Sequence, residues 1–247
     1  MPLYLVINIE TELKFGEPWD GNTEPSWWKS EGVTTRFIIK QISFYMDKRT
    51  KSLLISLVLG DGHLNSNSGV ALEIEHGEKQ KKYLEYKATL ISKLLNCPIP
   101  KIYHNKNKNT FKISKGHKYF KTLKKWVYKD KVKIFTPQLL EKLTPEAIAI
   151  WWMDDGSHAI CRRKSSGKIM SHSFHWYTFT DEISTQNIID YFYNTYNIKF
   201  YPIRYKLKDG KIGMYLKCRT KEGRKFCDLI RPYILPEFEY KILKVGE

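Results

Sequence analysis

The sequence predicts an α+β protein made of two pseudo-symmetric αββαββα repeats in tandem. Three observations point there. Two apolar, helix-length runs, "LISLVLGDG" (54–62) and "IAIWWMDDG" (148–156), both end in Asp-Gly, and Asp61 and Asp155 lie 94 residues apart. After each run the hydrophobic period switches between strand-like and helix-like in the same order. Regular patterning begins only after residue 47, because "GEPWDGNTEPSWWKSEG" (16–32) is rich in Gly, Pro and acids and holds no sustained period. The divisions that follow are an N-terminal extension over 1–46, a first repeat over 47–135, a linker over 136–144 and a second repeat over 145–247.

Taken in order, "KSLLISLVLGDG" (51–62) is the first apolar helix. "GVALEIEHG" (69–77) places Val70, Leu72 and Ile74 on one face and Ala71, Glu73 and Glu75 on the other, the alternation of a half-buried strand. "EKQKKYLEYKATLISKLL" (78–95) repeats Tyr83, Tyr86/Lys87, Leu90 and Leu94 at helical spacing, "KIYHNKNKNTFKI" (101–113) is a hairpin turning at Asn/Lys, and "HKYFKTLKKWVY" (117–128) is an amphipathic helix. The second round opens with Thr144 as N-cap and Pro145 at the first helical position. Strands follow to "FHWYTFT" (174–180), then a helix over 181–197, a hairpin over 199–219 with Asp-Gly at its turn, and a closing helix over 224–234. Gly62 and Gly156 are expected as left-handed caps of the two Asp-Gly helices.

Composition narrows the class. At 42% hydrophobic and 14% aromatic, the chain has enough apolar matter for a packed core, which excludes disorder throughout. The formal charge of +16 is uneven: residues 1–46 carry −2 (four basic, six acidic), leaving +18 on the rest. A folded, aromatic-rich module this basic points to a polyanion, most simply nucleic acid. Cys97, Cys161, Cys218 and Cys227 form no C-x-x-C pair and read as reduced thiols of an intracellular protein. No run approaches the roughly 18 apolar residues of a membrane span, so no membrane partner is expected. "LYLVINI" near the start lacks the basic flank of a signal peptide.

Two such motifs at domain spacing, in a basic chain with a duplicated layout, resemble the LAGLIDADG homing endonucleases, in particular the single-chain, two-repeat, intron-encoded type. The resemblance covers about residues 47–243, including the tail "LIRPYILPEFEYKI" (229–242). It implies a saddle-shaped antiparallel sheet platform with helices on the opposite face. It also implies a monomeric, metal-dependent enzyme that makes a double-strand break in a long DNA target. An RNA maturase assisting intron splicing, with intron RNA as partner, and a non-catalytic DNA-binding regulator are the alternatives. A mitochondrion or chloroplast would suit an intron-encoded protein, although the residues themselves fix no compartment.

The acids at the helix ends make chemical sense in that light. The last carbonyls of a helix carry partial negative charge, so a carboxylate among them is unfavourable by itself. If the two helices pack together, both negative ends converge, and a hard divalent cation resolves the conflict: Mg2+, with Mn2+ able to substitute. By resemblance Asp61 and Asp155 are the catalytic acids and metal ligands, one serving each strand, with the preceding positions Gly60 and Asp154 in the same metal site. Asp154 precedes Asp155 by about 100° of helix, so the two side chains diverge. Asp155 is the expected ligand, and Asp154 is read as lying behind it or at the surface. The family also places a lysine late in each repeat. Lys133, thirteen residues beyond Phe120, and Lys241, fifteen beyond Phe226, hold those places, with Lys131 left as a rival to Lys133.

DNA contacts are expected from the hairpins: Lys106, Lys108 and Lys112 in the first repeat, Arg162, Arg163 and Lys164 after the second motif, and Arg204, Lys206 and Lys208 alternating onto one face of a strand. A competing pattern, His158-x2-Cys161-x10-His172-x2-His175, has the ligand types of a zinc site. It is set aside because i and i+3 on a strand point to opposite faces, and the aromatics of these strands are read as core.

Overall fold

A computed structural model of the chain describes residues 5–7, 13–15, 46–65, 69–206, 210 and 212–244. Met1–Asp47 and Lys48–Glu247 are separate units. In the first, β1 (Leu5–Ile7) pairs antiparallel with β2 (Leu13–Phe15). The remainder of the expected 1–46 extension lies outside the described residues apart from residue 46, and so do Lys208 and Asp209.

The second unit carries the two rounds. The first runs α1 (Lys48–Leu59), β3 (Gly62–Asn65), β4 (Ala71–Gly77), α2 (Lys81–Leu95), β5 (Ile102–Asn105), β6 (Thr110–Gly116) and α3 (Tyr119–Val127). A short hairpin of β7 (Tyr128–Lys129) and β8 (Val132–Lys133) and a one-turn helix α4 (Pro137–Leu140) lead onward. The second round is α5 (Pro145–Asp155), β9 (Gly156–Arg162), β10 (Ile169–Thr180), α6 (Glu182–Tyr196), β11 (Tyr201–Lys206), β12 (Ile212–Arg219) and α7 (Thr220–Ile230). Strand order is β3-β4-β6-β5 in one sheet and β9-β10-β12-β11 in the other, the same order in both rounds. All pairings are antiparallel. Thus the α+β class and the duplicated αββαββα order hold.

Local chemistry explains several boundaries. Thr144 caps α5 by accepting the Ala147 N–H, with Pro145 at the first position as the sequence indicated. Asn96 and Asn197 close α2 and α6 in the left-handed conformation, with φ of 46° and 52°, which asparagine tolerates better than most side chains. Gly62 and Gly156 do not act that way: each opens a strand, and Gly156 has φ −84° and ψ 152°. They are glycines for lack of room. An added Cβ would overlap the Leu57 carbonyl at Gly62 and the Trp152 ring at Gly156.

One face of each sheet is covered by helices. Leu72, Ile74 and Ile113 in the first sheet, and Phe174, Trp176, Leu216 and Cys218 in the second, are fully buried there. Trp151 and Trp152 of α5 turn into the second half. Trp151 stacks on Phe135 with ring centroids 5.2 Å apart and lies 4.4 Å from Trp176, while Trp152 meets Phe226 edge-on at 4.9 Å. Bulk at these positions therefore fills the second core and does not separate the repeats.

Candidate active site at the paired helix ends

Helices α1 and α5 pack side by side and run the same way. At their N-terminal ends Arg49 grips Glu146 through two hydrogen bonds of 2.7 and 2.6 Å. One turn on, the Thr144 N–H donates to Ser52 Oγ at 2.7 Å. Ser52, Ser56 and Gly60 recur every four residues and are all buried, a small-residue stripe that lets α5 approach. At the C-terminal ends the Asp154 carboxylate lies over Gly60, where an added Cβ would overlap Oδ2. Both negative helix ends converge here, as the sequence argument required.

Asp61 sits just beyond the end of α1 with its side chain 35% exposed. Burial, with the charge of Asp154 adding, pushes its pKa up to about 6. Asp155 is the last residue of α5, and its Oδ2 accepts the Trp151 indole N–H at 3.0 Å. Burial, then Asp154 and Asp61, push its pKa up to about 7. Two acids at this local potential call for cations, and the chain supplies three lysines, two of which bind the helix-end carbonyls. Lys133 Nζ donates to the carbonyls of Gly60 (2.7 Å) and Leu59 (3.2 Å), and Lys241 Nζ to those of Met153 (2.6 Å) and Asp154 (3.3 Å). Burial holds both lysines below the usual range despite the nearby carboxylates. Of the two candidates in "KDKVK", Lys133 makes these bonds, while Lys131 is exposed in the β7–β8 turn.

Asp154 is not at the surface. Its side chain is 0% exposed; Oδ1 lies 2.7 Å from Lys87 Nζ, and Oδ2 accepts the main-chain N–H of Asp61 at 3.0 Å. Lys87, also 0% exposed, lies 3.1 Å from His76 Nε2, 3.9 Å from Asp61 Oδ2 and 4.3 Å from the Tyr83 ring centre. Neither Lys87 nor His76 was expected at the site. The signal was there, because Lys87 falls within the apolar stripe of α2, and a lysine on a core-facing stripe needs a buried acid.

Asp61, His76 and Asp154 each offer one ligand atom, all within 4.8 Å of one another. His76 does not suit a metal, however. The Lys87 ammonium can only donate, so Nε2 accepts from it and Nδ1–H is left for Gln80 Oε1 at 3.1 Å. Burial, with Lys87 adding, lowers the His76 pKa to about 4, which keeps the ring neutral. Lys87 is thus the cation of that group. The oxygen donors at the converging helix ends, the type a hard divalent ion prefers, are the carboxylates of Asp61 and Asp155 and the main-chain oxygens of Gly60 and Asp154, the latter two also accepting from Lys133 and Lys241.

The expected DNA-contact residues are spread more widely. Lys106 and Lys108 are exposed at the β5–β6 turn, and Arg162, Arg163 and Lys164 at the β9–β10 turn. Lys112 lies on the sheet face turned away from the helices, where it pairs with Glu73 at 2.8 Å. Arg204 and Lys206 share a face, but it is the helix side: Arg204 stands opposite buried Met214 and pairs with Glu182 of α6 at 2.7 Å. The cause is register, since Gly213 and Tyr215, flanking Met214, point the other way and take Tyr205 and Ile203 with them. On the helix-free face β12 instead presents Lys217 and Arg219, opposite His175 and Ser173. That face is also more aromatic than expected, with Tyr215 lying 5.6 Å from His175, 5.2 Å from Tyr177 and 5.8 Å from Tyr205. His172 and His175 fall on opposite faces of β10, and His172 pairs with His158 at 2.9 Å.

A family model described as the LAGLIDADG DNA endonuclease family matches residues 51–226. The probable intron-encoded endonuclease 1 of Wickerhamomyces canadensis is 29% identical over 208 residues, 80% of this chain and 85% of that one. Protein RecA of Mycobacterium shimoidei is 26% identical over 231 residues, 90% of this chain and 53% of that protein. The chain spans about half the length of the RecA relatives it matches. Among solved structures, the homing endonuclease I-WcaI bound to its DNA recognition sequence has the same fold, with a TM-score of 0.61 at 23% identity over 87% of this chain and 96% of that one.

Proposed function

The chain belongs to the LAGLIDADG DNA endonuclease family, and on that premise we propose that it is a monomeric, divalent-metal-dependent nuclease making a double-strand break at one long, specific DNA site. The observation that carries this reading is the paired geometry at the helix ends. Asp61 and Asp155 take corresponding places at the C-terminal ends of α1 and α5, and Lys133 and Lys241 bind corresponding carbonyls. We read residues 47–135 and 145–247 as the two repeats, each serving one strand.

Asp61 and Asp155, with the Gly60 and Asp154 carbonyls, would hold Mg2+ or Mn2+. Such an ion lowers the pKa of the attacking water and neutralises charge on the phosphoryl and leaving oxygens. The chain's own residues do the rest. The two carboxylates are tuned by burial to need a cation at neutral pH. Lys133 and Lys241 hold a positive charge beside the scissile phosphates, where negative charge develops as water oxygen bonds to phosphorus and the 3′ oxygen departs. The helix-free sheet faces, with Lys112, Lys217 and Arg219, and the turns carrying Lys106, Lys108, Arg163 and Lys164, fit phosphate contacts that fix register. The relative named as an intron-encoded endonuclease supports action on DNA.

The test is cleavage of a DNA library of candidate sites with Mg2+ or EDTA. One sharply cut site, lost in Asp61→Asn and in Asp155→Asn, supports the reading. Tight binding of intron RNA with no DNA cut in any divalent metal would favour a maturase instead.

A further inference from the structure

The two halves of the site are held by different means. Asp155 is steadied within its own helix by Trp151, whose indole N–H meets Oδ2 at 3.0 Å. Asp61 has no such neighbour in α1; its main-chain N–H is taken by Oδ2 of Asp154, which reaches across from α5. Asp154 in turn is fixed by Lys87 of α2, at 2.7 Å, with neither side chain exposed to water. The mirror contact is absent by chemistry: the residue equivalent to Asp154 is Gly60, which has no side chain to offer the N–H of Asp155. Gly60 is also what makes room for the carboxylate.

We infer that Lys87 and Asp154 form a one-sided latch that positions Asp61, and so sets the cutting rate of one DNA strand independently of the other. The latch rests on the endonuclease reading for its consequence but not for its geometry. Asp154 Oδ1 faces the ammonium and Oδ2 faces the Asp61 amide, so a single planar carboxylate couples the position of α2 to the chain just past the end of α1. A buried charge pair suits this use, because loosening either partner strands the other in a dry site. The Asp61 turn is then restrained through α2, which also holds α5 by the Tyr83 hydroxyl donating to the Ile150 carbonyl at 3.3 Å. The side chains of Lys87 and Asp154 touch no reacting atom in this scheme; their role is to position Asp61.

The decisive variant is the double substitution Lys87→Met with Asp154→Leu, which replaces the pair by apolar groups of similar size and leaves no orphaned charge. Two readouts apply. In metal-free, 15N-labelled full-length protein, the Asp61 amide should exchange with solvent at least about tenfold faster in the variant, while Asp155 and Gly156 are unchanged. On a supercoiled plasmid carrying the cleaved site, the variant should accumulate nicked circles, one strand slowed about tenfold or more and the other within about twofold. Should the double variant fold poorly, Asp154→Asn keeps the shape and one accepting oxygen and should show the same bias in weaker form. Equal slowing of both strands, or unchanged exchange at Asp61, overturns the latch. Absence of cleavage by the unmodified protein overturns the endonuclease reading and leaves the exchange result to judge the latch.

Discussion

Lys133 and Lys241 do the same thing at two places 94 residues apart. Lys133 Nζ reaches the carbonyls of Leu59 and Gly60, and Lys241 Nζ reaches those of Met153 and Asp154, residue for residue the same positions of the two motifs. Each lysine thereby offsets the negative end of one helix and lies within electrostatic reach of Asp61, Asp154 and Asp155.

The first prediction concerns those lysines. Lys133→Met and Lys241→Met should each lower the cleavage rate by about 10²-fold or more, the scale for losing a charge that stabilises a transition state. Affinity for the site should stay within about threefold, because neither side chain lies on the helix-free sheet faces. Cleavage under single-turnover conditions, set beside gel-shift affinity, checks this. A large loss of binding at unchanged rate would move both lysines out of the site.

The second concerns pH. Asp61 and Asp155 have folded pKa values of about 6 and about 7, above the ordinary carboxylate value near 4. A raised folded pKa gives stability that is complete below the unfolded value and is lost as pH rises through the folded one. Metal-free protein should therefore lose thermal stability between about pH 4 and 7 relative to the Asp61→Asn/Asp155→Asn variant, by roughly a few degrees. His76, lowered to about 4, works in the opposite direction but is common to both proteins and cancels. Because protons and cations compete for the same oxygens, the Mg2+ concentration giving half-maximal cleavage should rise as pH falls from 8 to 6. An unchanged requirement would exclude these acids as the ligands.

Much of this was legible in the residues. The helices and most strands followed from period alone, and Asp61 and Asp155 from two apolar runs that end alike. What escaped needed a partner distant in sequence. Lys87 stands in the apolar stripe of its helix, but its partner is unknown until α5 brings Asp154 against it, and whether Asp154 lies behind Asp155 or at the surface is open until Gly60 is seen to leave space. Arg204 and Lys206 were correctly placed on a common face, but alternation says nothing of which face meets the helices. Register with Met214 decides that, and register is a property of two strands.

The third prediction tests why the motif glycines are glycine. A left-handed cap would accept asparagine at little cost, as Asn96 and Asn197 show in this chain. Gly62 and Gly156 are instead required by close approach to the Leu57 carbonyl and the Trp152 ring. Gly62→Asn and Gly156→Asn should thus be as damaging as the alanine variants, each destabilising by about 2–4 kcal/mol. Urea denaturation of the four variants settles it: asparagine markedly milder than alanine would restore the cap explanation.

The fourth separates the two faces of the second sheet. If DNA lies on the face free of helices, Lys217 and Arg219 contribute phosphate contacts, whereas Arg204, paired with Glu182 on the helix side, does not. Each phosphate contact releases counterions, so Lys217→Ala and Arg219→Ala should weaken binding across sequences and reduce the slope of log affinity against log salt by about 0.9. Arg204→Ala should leave both affinity and slope close to the parent, since it breaks only an exposed ion pair of small energetic value. Binding titrations at four salt concentrations distinguish the cases. A full unit of slope lost with Arg204, and none with Lys217 or Arg219, would place DNA against the edge of β11 and require a different docking face for the second repeat.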